Sequence, residues 1–275
     1  MPELPEVETI RRELAPELLG RRVEELRVRK PDIVLGPLSP AGLRRRLRGK
    51  RVQAVERRGK YLLLRFRTGD VLQVQLRMTG RFALGHHRPD PDEFRHIAAE
   101  LELDDGRTLF YDDVRRLGGL RLLTADEWAG LEERIGPEPL SAEFTAARLG
   151  RILAGRRAPV KNLLLDQHRL AGVGNIYASE ALHRAAIDPR RAAASLTRPE
   201  VRRLHVALRT VLREAVALAG TTFRNYRAVN GRSGAFRELL RVYGRPGADC
   251  ARCGEAIRRI VQAGRSTFFC PGCQR

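Results

Sequence analysis

Apolar residues at Val7, Ile10, Leu14 and Leu18 recur at helical spacing and stop at Gly20, which predicts an amphipathic helix at the start of the chain. The period then changes. Tyr61–Phe66 is a short apolar run closed by the turn Thr68-Gly69-Asp70. Leu72, Val74, Leu76 and Met78 alternate with Gln73, Gln75 and Arg77, the period of two expected of a half-buried strand. Ile97, Ala99, Leu101 and Leu103 alternate again, and Asp104-Asp105-Gly106 turns the chain into a further strand through Phe110. Strands at this spacing predict a β-sandwich or barrel behind the first helix.

Beyond the strands the pattern becomes helical. Thr124-Ala-Asp-Glu127 has the form of a capping box opening a short helix to about Ile135, and Gly136-Pro-Glu-Pro139 reads as a linker. A second box, Thr197-Arg-Pro-Glu200, opens a helix to about Gly220, with Val201, Leu204, Leu208, Val211, Leu212 and Val216 on one face. Residues 221–233 are polar and unperiodic, a loop. The fold class is therefore α+β in two domains: an N-terminal helix and β-sandwich over 1–135, a linker at 136–140, a helical domain over 141–236 and a cysteine-bearing module over 237–275.

Composition sharpens this picture. Hydrophobic residues make up 43% of the 275, enough for folded cores. No apolar run reaches the roughly 18–20 residues that span a bilayer, and the start lacks the basic and apolar regions of a secretory signal, so the expectation is a cytoplasmic protein. The net charge is +19, unevenly placed: residues 1–140 carry 27 basic and 24 acidic side chains, residues 141–275 carry 25 and 9. An arginine-rich composition accounts for many cations but less readily for acids scarce in one half only. A polyanion partner does, because each phosphate contact releases condensed counterions.

All four cysteines lie near the end, as Cys250-Ala-Arg-Cys253 and Cys270-Pro-Gly-Cys273. Two such knuckles deliver four thiolates to one tetrahedral zinc, and the doubled spacing argues against a redox dithiol pair. Four sulfurs leave no open position, so the metal folds a ribbon and does no chemistry. The predicted strands are 256–261 and 267–269, with Ala263-Gly264-Arg265-Ser266 at the turn. Arg265 there is a candidate phosphate contact or simply a solvated side chain.

The N-terminus is the second candidate site. Methionine before proline suits removal of Met1, leaving Pro2 with a secondary amine. An α-amine has a pKa well below that of lysine, so a useful fraction is unprotonated near neutral pH. It can attack a sugar carbon and form an iminium. Glu3 beside it can move protons. Read locally, the same residues are also ordinary helix capping.

The opening MPELPEVET closely resembles the bacterial formamidopyrimidine-DNA glycosylases, which remove 8-oxoguanine and ring-opened purines. The likeness continues through Arg58-Gly59-Lys60-Tyr61-Leu62, Leu76-Arg77-Met78-Thr79-Gly80, Asp166-Gln167, Gly172-Val-Gly-Asn-Ile-Tyr-Ala-Ser-Glu180, Val242-Tyr-Gly-Arg245 and Cys273-Gln274-Arg275. Leu4 favours this purine branch over the related pyrimidine-lesion enzymes, which tend to begin MPEGPE. The resemblance implies a helix–two-turn–helix motif in the helical domain, one structural zinc, no diffusible cofactor and a monomer acting on duplex DNA that contains oxidised purines.

It also implies roles. Pro2 displaces the base and forms a Schiff base with the deoxyribose C1′; Glu3 opens the sugar ring and Glu6 supports it. Elimination of both phosphates follows. Lys60, Asn175, Tyr243 and Arg265 hold phosphates. Met78 and Arg115 fill the hole left by the everted base, with Leu117 at a wedge position where these enzymes usually carry phenylalanine. Gln75 stands where a histidine is often seen, and His96, placed in a strand, is a further phosphate candidate; His86 and His87 read as exposed loop residues. Without the family, Lys60 is a surface charge, Asn175 a cap and Tyr243 core packing. The stretch from about 222 to 234 matches the segment that closes over the everted base. Two other readings stand beside this one: the same chemistry on oxidised pyrimidines, and a zinc-ribbon protein that binds damaged DNA without catalysis.

Overall fold

Helix α1 (Leu4–Leu18) forms where the spacing of its apolar residues places it. Glu3 and Glu6 make a reciprocal capping box, and Pro5 takes a first-turn position whose N–H needs no helical partner. Leu4, Val7, Ile10, Leu14 and Leu18 are all fully buried. The computed structural model describes residues 2–221, 229 and 234–275. The base-capping stretch expected over 222–234 lies outside the described residues except at 229 and 234. The chain divides into two units, Met1–Glu133 with Ala219–Ala235, and Arg134–Leu218 with Phe236–Arg275.

In the first unit α1 is followed by β1 (Val23–Val28), α2 (Pro40–Leu47), β2 (Val52–Arg58), β3 (Tyr61–Phe66), β4 (Val71–Gln75), β5 (Gly80–Gly85), β6 (Ile97–Leu103), β7 (Thr108–Asp113), β8 (Gly119–Leu123) and α3 (Ala125–Glu132). The strands form two four-stranded antiparallel sheets, ordered β1-β6-β7-β5 and β2-β3-β4-β8. One core joins them: Leu26, Phe82, Leu101, Leu109 and Tyr111 from the first sheet, Leu62, Leu64, Leu72, Val74 and Leu120 from the second, with the buried face of α1. The architecture is a sandwich.

Two expectations change here. β4 ends at Gln75, because Arg77 turns into the left-handed region (φ 51°) and breaks the alternation expected through Met78. β4 is also buried on both faces, Gln73 included, since it lies between β3 and β8. His96 precedes β6 instead of lying within a strand; its carbonyl and N–H serve Asp113 and Asp112 at the end of β7, and its side chain is exposed.

The second unit holds α4 (Ala146–Leu153), α5 (Val160–Leu165), α6 (Asn175–Ala185), α7 (Arg198–Ala217), β9 (Arg258–Gln262) and β10 (Arg265–Phe269). Both predicted capping boxes are present, at Thr124–Glu127 and Thr197–Glu200. The stretch read as a linker is held down: the Gly136 N–H donates to the Gln167 carbonyl (2.9 Å), and the Arg209 guanidinium donates to the carbonyls of Pro139 (2.9 Å) and Ser141 (2.6 Å). Among the described residues no helix is long and apolar enough to cross a membrane.

Candidate active site and zinc centre

In the first unit, Pro2, Glu3 and Glu6 are brought together by the first turn of α1, and all three are buried. Glu3 and Glu6 are each 2% exposed. The Glu6 carboxylate is shared: Oε2 accepts the Glu3 N–H (2.8 Å) and Oε1 accepts the Thr221 N–H (2.7 Å). One carboxylate thus fixes both the backbone beside Pro2 and the stem of the 222–234 segment. The stem is built for that approach. Gly220 has φ 81°, and a Cβ there would lie 2.7 Å from Glu6 Oε1. Thr221 bridges Ala235 opposite it, and the Val229 N–H donates to Glu13 on the same helix (2.6 Å).

Lys60 sits in the turn between β2 and β3, next to Gly59 with φ 57°. Arg57 secures that turn: its guanidinium donates to the Gly59 carbonyl (3.0 Å) and to Glu8 of α1 (3.2 Å). The candidate plug residues occupy two turns of this unit. Met78 lies between β4 and β5, Arg115 and Leu117 between β7 and β8, and all three side chains are exposed, Met78 by 42% and Leu117 by 51%.

In the second unit, Asn175 is the first residue of α6, and its amide is engaged within the protein. Its Oδ1 accepts from Lys161 Nζ (2.7 Å) and its Nδ2 donates to the Ser266 carbonyl of β10 (2.8 Å). Lys161, 1% exposed, also donates to Thr267 Oγ1 (2.7 Å). Sequence reasoning missed Lys161; a lone cation inside the apolar run of α5 was the available signal. Tyr243 is half-buried, its ring edge-on to Phe268 at 5.0 Å between centroids. The peptide before it is held by Glu180, whose carboxylate accepts the N–H groups of Arg241 (2.9 Å), Val242 (3.0 Å) and Tyr243 (2.8 Å). Burial pushes the Glu180 carboxyl up while those three donors pull it down.

Arg265 is exposed and opens β10 instead of lying in the turn. The turn is Ala263-Gly264 alone, both left-handed (φ 46° and 71°), the two-residue form whose twist matches a hairpin. Beyond the other end of this hairpin the four cysteine sulfurs lie within 4.8 Å of one another. Cys250 and Cys273 are 3.8 Å apart and Cys253 and Cys270 are 3.5 Å apart, close to the about 3.8 Å between sulfurs on a tetrahedral zinc with 2.3 Å bonds. The site fits one structural zinc with no open position. Gln274 accepts the Cys270 N–H (2.8 Å) and donates to the Ile187 carbonyl (2.8 Å), tying the second knuckle to the residues that follow α6.

Comparison with known proteins bears on both units. Family models match residues 1–120 (formamidopyrimidine-DNA glycosylase N-terminal domain), 135–227 (formamidopyrimidine-DNA glycosylase H2TH domain) and 249–275 (zinc finger found in FPG and IleRS). A formamidopyrimidine-DNA glycosylase of Chloroflexus aurantiacus is 46% identical, over 100% of this chain and 98% of its own. A Lactococcus lactis FPG variant in complex with a Fapy-dG containing DNA superposes with TM-score 0.92 at 36% identity, covering all of both chains. MutM in complex with carbocyclic 8-oxo-G containing DNA gives 0.91 at 36%, again over all of both chains.

Proposed function

The chain belongs to the formamidopyrimidine-DNA glycosylase family, and from that premise we propose how its own residues carry out the repair of oxidised purines in duplex DNA. It is a base-excision-repair glycosylase and abasic-site lyase with one structural zinc. The observation that carries the assignment of roles is the shared Glu6 carboxylate, which holds the backbone beside Pro2 and the stem of the 222–234 segment in one buried cluster.

With Met1 removed, the Pro2 nitrogen lone pair attacks C1′ of the damaged nucleotide and the electrons of the glycosidic bond leave with the base. Glu3 delivers a proton to the ring oxygen, the sugar opens, and an iminium joins C1′ to Pro2. That iminium acidifies the neighbouring C–H, so the 3′ phosphate and then the 5′ phosphate are eliminated. Lys60, Asn175, Tyr243 and Arg265 hold backbone phosphates, with His96 a further contact, and the N-terminus of α6 adds its peptide dipoles. Met78, Arg115 and Leu117 fill the stack behind the everted base. With duplex DNA as its substrate, the enzyme works as a monomer in the bacterial cytoplasm.

Borohydride trapping tests this reading. A covalent adduct is expected on a duplex with 8-oxoguanine opposite cytosine and not on one with thymine glycol. The reverse preference would establish the pyrimidine-lesion reading. No adduct on any substrate, from protein shown by mass spectrometry to begin at Pro2, would leave only non-catalytic binding. Leu117 has its own expected outcome. Leu117→Phe supplies the ring that stacks on a base step, so it should alter lesion search or the preference for the opposite base while leaving abasic-site cleavage alone. Unchanged search and preference in a duplex-cleavage assay would show that the wedge position does not depend on stacking.

A further inference from the structure

Behind the two exposed turns of the first unit lies a buried polar cluster that the reaction itself does not use. The Thr79 hydroxyl donates to Asp113 Oδ1 and accepts the backbone N–H of Arg115 (3.0 Å). Asp113 is fully buried, and its Oδ2 accepts the Gly118 N–H (2.9 Å) and the Tyr111 hydroxyl (3.3 Å). Burial first, and then the Asp113 charge, push the Tyr111 phenol up, so it remains a donor. Thr79 follows Met78 directly, and Asp113 and Gly118 bracket the segment that carries Arg115 and Leu117. One hydroxyl therefore ties the backbone of the Met78 turn to that of the Arg115 turn.

Each turn also stores strain. Arg77, next to Met78, and Arg116, between Arg115 and Leu117, are non-glycine residues in the left-handed region (φ 51° and 49°). Such residues cost free energy and persist where their surroundings hold them. The surroundings here are close: a Cβ on Gly80 would lie 2.8 Å from the Tyr111 hydroxyl oxygen, and one on Gly118 only 2.3 Å from it. Both turns are anchored around one buried phenol and one buried carboxylate.

We propose that Thr79 and Asp113 are positioning residues that couple the Met78 turn to the Arg115–Leu117 turn, so that the two enter the base stack as one unit. This rests on the reading of Met78, Arg115 and Leu117 as the plug. Uncoupled, Arg115 would no longer meet the opposite base at a fixed height relative to Met78. The property that responds is the preference for cytosine over adenine opposite the lesion.

The test compares single-turnover base release from 8-oxoguanine opposite cytosine and opposite adenine. Thr79→Val keeps the shape and removes both hydrogen bonds, so the cytosine-to-adenine ratio should fall about tenfold, the size of effect one orphaned buried partner produces. Thr79→Ser restores the hydroxyl and should keep the ratio within about twofold. Thr79→Ala also removes the hydroxyl, should reproduce the loss, and serves if the valine variant does not fold. A Thr79→Val enzyme with lower stability or rate but an unchanged ratio would overturn the coupling, as would Thr79→Ser failing as badly as valine. Arg115→Ala is measured alongside. If it loses the preference and Thr79→Val does not, only the coupling is wrong. If Arg115→Ala keeps the preference, the plug reading itself fails and the coupling with it.

Discussion

Glu3→Gln is expected to slow formation of the borohydride-trapped iminium by a factor of roughly 10²–10⁴, the range a positioned proton donor supplies, while leaving the protein as stable as before. The structure separates those two outcomes. The Glu3 side chain closes the capping box by accepting an N–H of the first turn of α1, and a glutamine oxygen can do the same. What glutamine lacks is the transferable proton. Glu6→Gln should show the opposite signature. Both Glu6 oxygens accept backbone N–H groups, from Glu3 at 2.8 Å and Thr221 at 2.7 Å, and an amide has one oxygen only. Its NH₂ group would face a buried N–H, at a cost of about 1–3 kcal/mol. The pair is measured by single-turnover kinetics on an 8-oxoguanine duplex and by denaturant unfolding. Iminium formation by Glu3→Gln within tenfold of the parent enzyme would remove Glu3 from the chemistry.

These two carboxylates also show where sequence reasoning stops. The first turn of α1 was legible because its signals are local: the apolar spacing from Val7 to Leu18, the proline, and two glutamates three residues apart. The zinc site was legible for the same reason, since each cysteine pair spans four positions and carries its metal geometry in its spacing. The partner of Glu6 was not, because Thr221 lies 215 residues away and only the fold brings its N–H to that oxygen. Thr79 was visible inside a motif and Asp113 lies two residues before Arg115, yet nothing in the sequence says that these residues, 34 apart, meet. Lys161 is the same case: α5 is a short apolar helix in sequence, and its cation becomes meaningful only when Asn175 and Thr267 converge on it. The shortening of β4 and of the ribbon turn has another cause. Arg77 and Ala263 take left-handed backbone without being glycine, which composition does not signal.

Removing the zinc is expected to have an effect that reaches past the ribbon. The ribbon's own apolar core is Val242, Ile257 and Phe268 with Cys250 and Cys270, too little buried surface to order that much chain unaided. Zinc bound by four thiolates contributes about 10–16 kcal/mol in isolated fingers, so its removal should unfold β9 and β10 outright. Ser266 and Thr267 sit on β10, and with them Lys161 loses two acceptors and the Asn175 amide loses its backbone partner. A buried ammonium that has lost two of its acceptors is costly to keep in place, so the start of α6 should loosen as well. Two phosphate-binding positions of the proposed clamp, Arg265 and Asn175, would then fail together. In chelated protein shown to be metal-free, hydrogen exchange should rise at β9, β10 and the first turn of α6, while the sandwich strands stay protected. The salt dependence of DNA binding should flatten by about 0.9 in log–log slope, for the one charge lost with Arg265, since the neutral Asn175 amide releases no counterion. Full protection at Asn175–Ala178 in the metal-free protein would show that α6 holds Asn175 without the ribbon, and that the zinc serves Arg265 alone.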